Sequence, residues 1–386
     1  MSNENAVRGT VAEGFEAVRA QFAAVAAAEG GEGGEHAAQL AAYRHGELVV
    51  DLWTGPGLGP DSLLGAYSTA KGATHLVVAS LVQDGVLDLE RPVSHYWPRF
   101  AVAGKGGLTL RELLAHRAGL VGADAGFTAE ELADDRIVAE RLGAQRPYWR
   151  PGAAFGYHAL VMGALSAEVV RRATGRTVQQ LFAERVRDRY GVDFHLGLSP
   201  EDEPRFLTAQ PAAATPAATA ATADASGPNS LNGIAFNRHH PGNPAVWELP
   251  NHQLVRTLGT ASFGGVASAR GLARMYAVAS GPVDGAEPLL APRTLALAGQ
   301  VQSLGHDLVL GERKAFTIGF HATAEYYPQL GQGSFGHSGA GGQQAFADPR
   351  NGIAYGYTRR RTPSPAAAAP ENAPLIRALY AAAAAR

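Results

Sequence analysis

The chain of 386 residues contains no cysteine. That excludes disulfides, thiol catalysis and thiolate metal sites, and it leaves the compartment open. Lysine is nearly absent: Lys71, Lys105 and Lys314 are the only three among 33 basic residues. Arginine keeps its proton throughout the working pH range, so these three are the only side chains of this kind able to become a neutral amine. No run is long and apolar enough to span a bilayer. The first thirty residues lack the basic start, apolar stretch and cleavage site of a secretory leader, so a cytoplasmic location is expected. A formal charge of −2 points to neither nucleic acid nor a membrane surface as partner. No His-Glu-x-x-His occurs, and His239-His240 lies in a Pro/Asn/Gly loop, so no metal is expected. Gly339-Ala340-Gly341-Gly342 is followed by no Lys-Ser/Thr, which rules out a phosphate-binding loop. The absences leave a cofactor-free chain, long enough for one large domain or two lobes.

The most informative stretch is Tyr67-Ser68-Thr69-Ala70-Lys71-Gly72, which runs into Leu76, Val77, Ala79 and Leu81 and stops at Asp84-Gly85. The apolar run and the closing glycine predict a helix, with Ser68 at its N-cap or in its first turn. Lys71 follows at i+3, so its amine shares a face with the Ser68 hydroxyl. A serine is a weak nucleophile until a base takes its proton, and a lysine does that only when its pKa is depressed. A helix start adds N–H groups without intrahelical partners, which favour developing negative charge. A capping serine beside a solvated lysine fits the same residues. The scarcity of lysine favours the chemical reading, since Lys71 alone of the three follows a serine at this spacing.

Apolar spacing over residues 5–29 (Val7, Val11, Phe15, Val18, Phe22, Val25) predicts an amphipathic helix, followed by a Gly/Glu turn from Glu29 to Gly34. Residues 37–53 alternate around His45-Gly46 as a β-hairpin. Thr109 and Glu112 form a capping-box pair for a short helix over 108–116, closed by Gly119-Leu120. Helices are expected over 128–146, Tyr157–Thr174 with Gly175 as stop, Val178–Tyr190, and from a Gly-rich turn at 264–266 to Ala279. Residues 208–229 are an Ala/Thr/Pro-rich loop. Short strands follow at Phe335–Ser338, Gln343–Ala347 and Gly352–Tyr357, then an Ala-rich helix over 371–385. Strands at both ends with helices between predict an α+β fold. Its antiparallel sheet is built from both chain ends, flanked by terminal helices, with a mostly helical lobe inserted. The expected division is a single domain over 1–386. Its sheet lobe is about 1–66 and 255–386, its helical lobe about 67–207, and its flexible loop about 208–245. The α/β-hydrolase elbow is missing, because Gly336-His337-Ser338-Gly339-Ala340 ends a strand without opening a helix.

Ser68-x-x-Lys71, Tyr157 within Phe155-Gly156-Tyr157-His158-Ala159, and His337-Ser338-Gly339 together resemble the three motifs of the penicillin-binding-protein/β-lactamase superfamily. The resemblance is to the class C β-lactamase-like serine hydrolases, including the family VIII carboxylesterases. It runs from about residue 37 to 358. It includes Leu113-Leu114-Ala115-His116-Arg117-Ala118-Gly119-Leu120, Trp149-Arg150-Pro151-Gly152, Gly265-Val266-Ala267-Ser268 and Phe335-Gly336-His337. The resemblance implies a β-lactamase/transpeptidase-like fold and an acyl-Ser68 intermediate. It implies proton traffic shared by Lys71 and Tyr157, with either as base, and an oxyanion hole made by the N–H groups of Ser68 and Ala340. The third motif, His337, Ser338 and Gly339, is the expected substrate-binding strand. Two departures stand out. Where such β-lactamases carry Tyr-x-Asn this chain has Ala159, and where they carry Lys-Thr-Gly it has His337-Ser338-Gly339, with a mostly neutral imidazole. Both disfavour penicillins and favour neutral esters or amides. The expectation is a cofactor-free hydrolase of a small ester, less readily an amide or β-lactam. An acyltransferase using an amine or alcohol acceptor, and a non-catalytic binding protein on the same scaffold, are the alternatives. Trp53 and Trp149 are expected in the core, and His337 is also read as a group orienting its strand or Tyr157.

Overall fold

The computed structural model describes residues 6–29, 36–213 and 227–385. Its centre is a nine-stranded antiparallel sheet. The strands are β1 (Arg8–Val11), β2 (Ala38–Arg44), β3 (Glu47–Thr54), β4 (Ser303–His306), β5 (Arg313–Phe316), β6 (His321–Ala322), β7 (Phe335–Ser338), β8 (Gln344–Asp348) and β9 (Ile353–Arg359). Their order is β1-β3-β2-β9-β8-β7-β6-β5-β4. The two chain ends join at β2–β9, in register from Arg44↔Ile353 to Ala38↔Arg359. The hairpin β2–β3 closes through His45 and Gly46, both at positive φ (47° and 85°), which suits the twist of the strands.

Side chains alternate across this sheet with period two, and each face has its own cover. Leu40, Ala42, Phe346, Tyr355 and Tyr357 face helices α1 (Glu16–Glu29) and the C-terminal Asn372–Ala384, packing with Phe22, Leu375 and Leu379. Ala41, Ala345, Ala347 and Ala354 face the other way, toward helices α2 (Ala70–Gln83) and Ala269–Ser280. The small residues on this face let a helix lie close. A Cβ on Gly356 would stand 2.5 Å from the Ala269 carbonyl oxygen. Residues 70–81 of α2 are all buried, so this helix is enclosed on every side rather than amphipathic. Helices α3 (Asp135–Ala144) and α4 (Met162–Thr174) belong to the mostly helical stretch between β3 and β4, and α4 packs on α2. In chain order Ala269–Ser280 is α5 and Asn372–Ala384 is α6.

The expected capping box is present: the Thr109 hydroxyl accepts from Glu112 N–H at 3.1 Å, and Glu112 Oε2 accepts from Thr109 N–H at 3.0 Å. Gly175 ends α4 at φ 72°. The three C-terminal strands lie within about two residues of the expected bounds. Four expected helices need correction. The helix expected over 5–29 starts only at Glu16; Gly9 (φ 104°) and Gly14 (φ 82°) interrupt it, and Arg8–Val11 pairs with β3. The helix expected from Tyr157 starts at Met162, and the short helix expected to 116 ends at Leu114, with His116 at φ 61°. Val178–Phe182 is α-helical and Ala183–Asp188 continues as a π-helix. Of the 208–245 segment, residues 214–226 lie outside the described residues, as do 30–34 of the Gly/Glu turn; Leu231–Ala235 is a short helix.

Gly163, near the start of α4, has backbone where a side chain would be: an added Cβ would lie 2.2 Å from the Ala261 carbonyl carbon and 2.3 Å from Ser262 N. Its N–H donates to Ser262 Oγ at 2.7 Å. Gly163→Ala is expected to lower stability by about 1–3 kcal/mol in denaturant unfolding. Gly107→Ala, where nothing lies within 4 Å, should change it by less than about 0.5 kcal/mol.

Candidate active site

Ser68 does not cap α2. It sits in the 3₁₀ turn Tyr67–Thr69 that leads into it, after Tyr67 at φ 47°. Lys71 lies one turn on and is 0% exposed. Its Nζ lies 3.2 Å from Ser68 Oγ and donates to the Ala159 carbonyl at 2.5 Å and to the Ser262 carbonyl at 3.0 Å. The solvated-lysine alternative is therefore excluded. Burial pushes the Lys71 pKa well below the usual lysine value. A neutral amine has two N–H donors and one lone pair. Two carbonyls take the donors, and the lone pair is left for the Ser68 hydroxyl.

Tyr157 comes from the irregular segment ahead of α4. Its ring lies 5.0 Å from Lys71 Nζ, and it lines the same cavity as Ser68. Burial raises the phenol's pKa, so Tyr157 stays protonated in the resting site. Ser338, Gly339 and Ala340 approach from the end of β7. Together with Ser68 and Tyr157 they line a cavity of about 270 Å³. Gly339 N–H donates to Gln343 O at 2.9 Å and Gly342 N–H to Gly339 O at 3.1 Å, a tight turn that leaves Ala340 N–H without a backbone acceptor. Ser68 N–H is in the first turn, where no intrahelical acceptor exists.

His337 departs from expectation. It is 0% exposed and absent from the cavity wall, which His321 lines instead. The two imidazoles stack at 3.9 Å between centroids. His337 Nδ1 donates to the Ser338 carbonyl at 2.7 Å, and burial holds its pKa well below the usual histidine value. The third motif therefore offers the cavity Ser338, Gly339 and Ala340 and no positive charge. Trp149 packs with Tyr157 and Ala159, and Trp53 with Leu58 and Leu64, but both are half-buried at the edge of their clusters and not in the core as expected.

His116 and Asp307 are residues that no sequence pattern singles out. Three consecutive N–H groups around Tyr157 are held by them. Gly156 N–H donates to the His116 carbonyl (3.1 Å), Tyr157 N–H to Asp307 Oδ1 (3.1 Å) and His158 N–H to His116 Nδ1 (3.0 Å). The Tyr157 ring stacks on Phe316 at 5.9 Å and meets the His116 ring at 5.3 Å. This clamp holds the backbone ahead of α4, where the Ala159 carbonyl turns to Lys71 Nζ instead of continuing a helix. His116 lay inside a segment noted above, but its partner is 42 residues away and that of Asp307 is 150 away. No local pattern records such a contact. Among the described residues no group of three or more His, Asp or Glu could hold a metal, and no helix is long and apolar enough to cross a membrane.

Comparison with known proteins agrees with this geometry. The Beta-lactamase family profile matches residues 20–379. The chain is 34% identical over 340 residues to the esterase/beta-lactamase LipL of Mycobacterium tuberculosis, covering 84% of this chain and 77% of that protein. Among solved structures, EstA from Arthrobacter nitroguajacolicus Rue61a superposes with a TM-score of 0.89 at 38% identity, covering 97% and 98% of the two chains. A family VIII carboxylesterase superposes at 0.85 and 31% identity, covering 98% and 100%. With the fold, the profile match and these relatives in agreement, the chain belongs to the beta-lactamase family and is a serine hydrolase of that fold.

Proposed function

We propose that this hydrolase cleaves a carboxylic ester through a covalent acyl-Ser68 intermediate. The observation that carries the reading is the buried Lys71 amine, 3.2 Å from Ser68 Oγ with its other contacts spent on two carbonyls. Ser68 Oγ attacks the ester carbonyl as its proton passes to Lys71 Nζ. The carbonyl oxygen gathers negative charge against the N–H groups of Ser68 and Ala340. The ester C–O bond breaks, and the leaving alkoxide takes a proton relayed from Lys71 through the Tyr157 hydroxyl. Water then attacks the acyl group by the same route in reverse, releasing the acid and restoring Ser68. Tyr157, protonated at rest, suits the relay, and Lys71 suits the base. The relatives named as an esterase/beta-lactamase and a carboxylesterase support an ester substrate. The methyl group of Ala159 supplies no amide to grip a lactam side chain.

Ser68→Ala is expected to lose p-nitrophenyl acetate and butyrate hydrolysis by at least about 10³-fold and to lose the acyl adduct seen by intact mass spectrometry. Turnover that survives in Ser68→Ala would exclude Ser68 as nucleophile. Acyl products formed on adding amines or alcohols would show transfer rather than hydrolysis. Lys71→Arg, which cannot deprotonate, should lower kcat by about 10²–10⁴-fold.

The pH dependence has a definite sign. Lys71 must be neutral to act, so kcat/KM should rise with pH through a pKa well below that of free lysine, with no further limb from Tyr157 at moderate pH. The same depressed pKa means that the unfolded chain binds more protons than the folded one. The Lys71 contribution to stability therefore grows as pH rises from the folded pKa toward the unfolded value, and Lys71→Met should flatten that slope.

His116→Ala is expected to reduce kcat by about 10- to 100-fold with little change in KM, because it releases the backbone around Tyr157. His116→Asn should recover part of the loss, since an amide oxygen can replace Nδ1 and asparagine tolerates positive φ.

A further inference from the structure

We propose that Lys314 forms a subsite for a carboxylate carried by the substrate, so that the ester presented to Ser68 is an anionic one, such as a half-ester of a short dicarboxylic acid. This rests on the acyl-Ser68 reading and names its substrate class. Of the three lysines, Lys71 spends its contacts on Ser68 and two carbonyls. Lys105 donates to the Val102 and Gln145 carbonyls in the helical region. Lys314, on β5, is the one cation among the described residues lining the active-site cavity. Where a chain writes surface charge almost wholly as arginine, a lysine in this wall calls for a reason in the cavity.

Its surroundings hold the ammonium in place without using it up. The side chain is 20% exposed, and Nζ lies over the Tyr326 ring at 5.4 Å and 2.7 Å from Glu312 Oε1. Glu312 is 61% exposed, so this ion pair is a rim contact of the kind that contributes little. An ammonium has three donors and Glu312 is its one hydrogen-bonding partner among the described residues, so donors remain for a group inside the cavity.

The charge also reaches two residues that flank Tyr157. Burial, then Lys314 and Lys71, hold the His321 imidazole down at about 3, and the Lys314 charge opposes the rise that burial imposes on the Asp307 carboxyl. His321 lies 6.2 Å from the Tyr157 ring, and Asp307 holds the Tyr157 N–H. The rest of the wall mixes apolar Phe236, Leu310, Ala366 and Ala367 with polar Thr323 and Gln344 and the Glu312 carboxylate, and the cavity of about 270 Å³ suits a short acyl group. His337 supplies no positive charge here, so Lys314 is where this chain keeps one.

The test is titration calorimetry on the Ser68→Ala protein, which leaves an ester intact, with monomethyl glutarate and its uncharged counterpart dimethyl glutarate. The monoester is expected to bind roughly tenfold more tightly, less so at high salt. Adding Lys314→Gln should erase the difference. Adding Glu312→Gln should strengthen monoester binding, because it frees the ammonium and removes a competing carboxylate. Opposite signs for the two variants are the signature of the subsite; an ion pair with a merely structural role would move both in one direction. Equal binding of the two esters, no binding of either, or same-direction shifts would overturn the proposal. Turnover of p-nitrophenyl butyrate by the wild-type chain reports separately on the acyl-Ser68 reading, so failure of one is distinguishable from failure of the other.

Discussion

One amine kept out of water organises this molecule. A lysine that is fully buried and uncharged still has two N–H donors, and leaving either without an acceptor would cost about 1–3 kcal/mol. The acceptors are the carbonyls of Ala159, ahead of α4, and Ser262, ahead of α5, so three distant parts of the chain must meet at the start of α2. The Ser262 side is locked by Thr74 Oγ1, which donates to the Ala261 carbonyl at 2.9 Å, and by the missing side chain of Gly163. The Ala159 side is locked by the clamp of His116 and Asp307. Irregular backbone at 157–161 is thus a requirement of the amine, since a carbonyl inside a regular helix would be turned to its own i+4 N–H.

The shell around that amine is polar in composition but uncharged. His75, His116, His158, His321 and His337 all have their pKa values lowered, with burial the first cause in each. Four of them, His75, His116, His158 and His337, bond a backbone group through a ring nitrogen. His158 Nδ1 donates to the Gly156 carbonyl at 2.7 Å while its Nε2 accepts from Leu120 N–H at 3.2 Å. His75 Nδ1 donates to the Lys71 carbonyl at 2.7 Å. Imidazole suits this shell because it satisfies backbone groups without a charge that would draw water toward Lys71.

What was legible in the sequence was local. The capping box at Thr109 and Glu112, the two-residue hairpin turn at His45-Gly46 and the stop at Gly175 each depend on residues a few positions apart, and each is in place. So is Ser68-x-x-Lys71, whose spacing brings hydroxyl and amine together within one turn. The misses share a cause in tertiary contact. Val7 and Val11 fit a helical period, but Gly9 and pairing with β3 decide that segment for strand. Tyr157 to Val161 reads as helix, but the Ala159 carbonyl is turned to Lys71 Nζ. His337 fits the substrate-binding strand by motif, yet a strand has two faces, and its ring lies on the side stacked with His321.

The two departures from the β-lactamase motifs take on a different meaning beside this geometry. Residue 159 acts on Lys71 through its carbonyl, and replacing an asparagine by alanine leaves a carbonyl unchanged. The same holds for Ser262, which offers Lys71 its carbonyl, and for Ser68 and Ala340, whose N–H groups flank the cavity. In the proposed acyl transfer, apart from the hydroxyl, amine and phenol of Ser68, Lys71 and Tyr157, the assisting groups are backbone groups. The side chains at those positions are free to change with the substrate. Reaction and recognition therefore rest on different atoms of the same residues, so the loss of an amide at 159 and of a cation at 337 alters what the cavity can hold without disturbing the environment of Lys71.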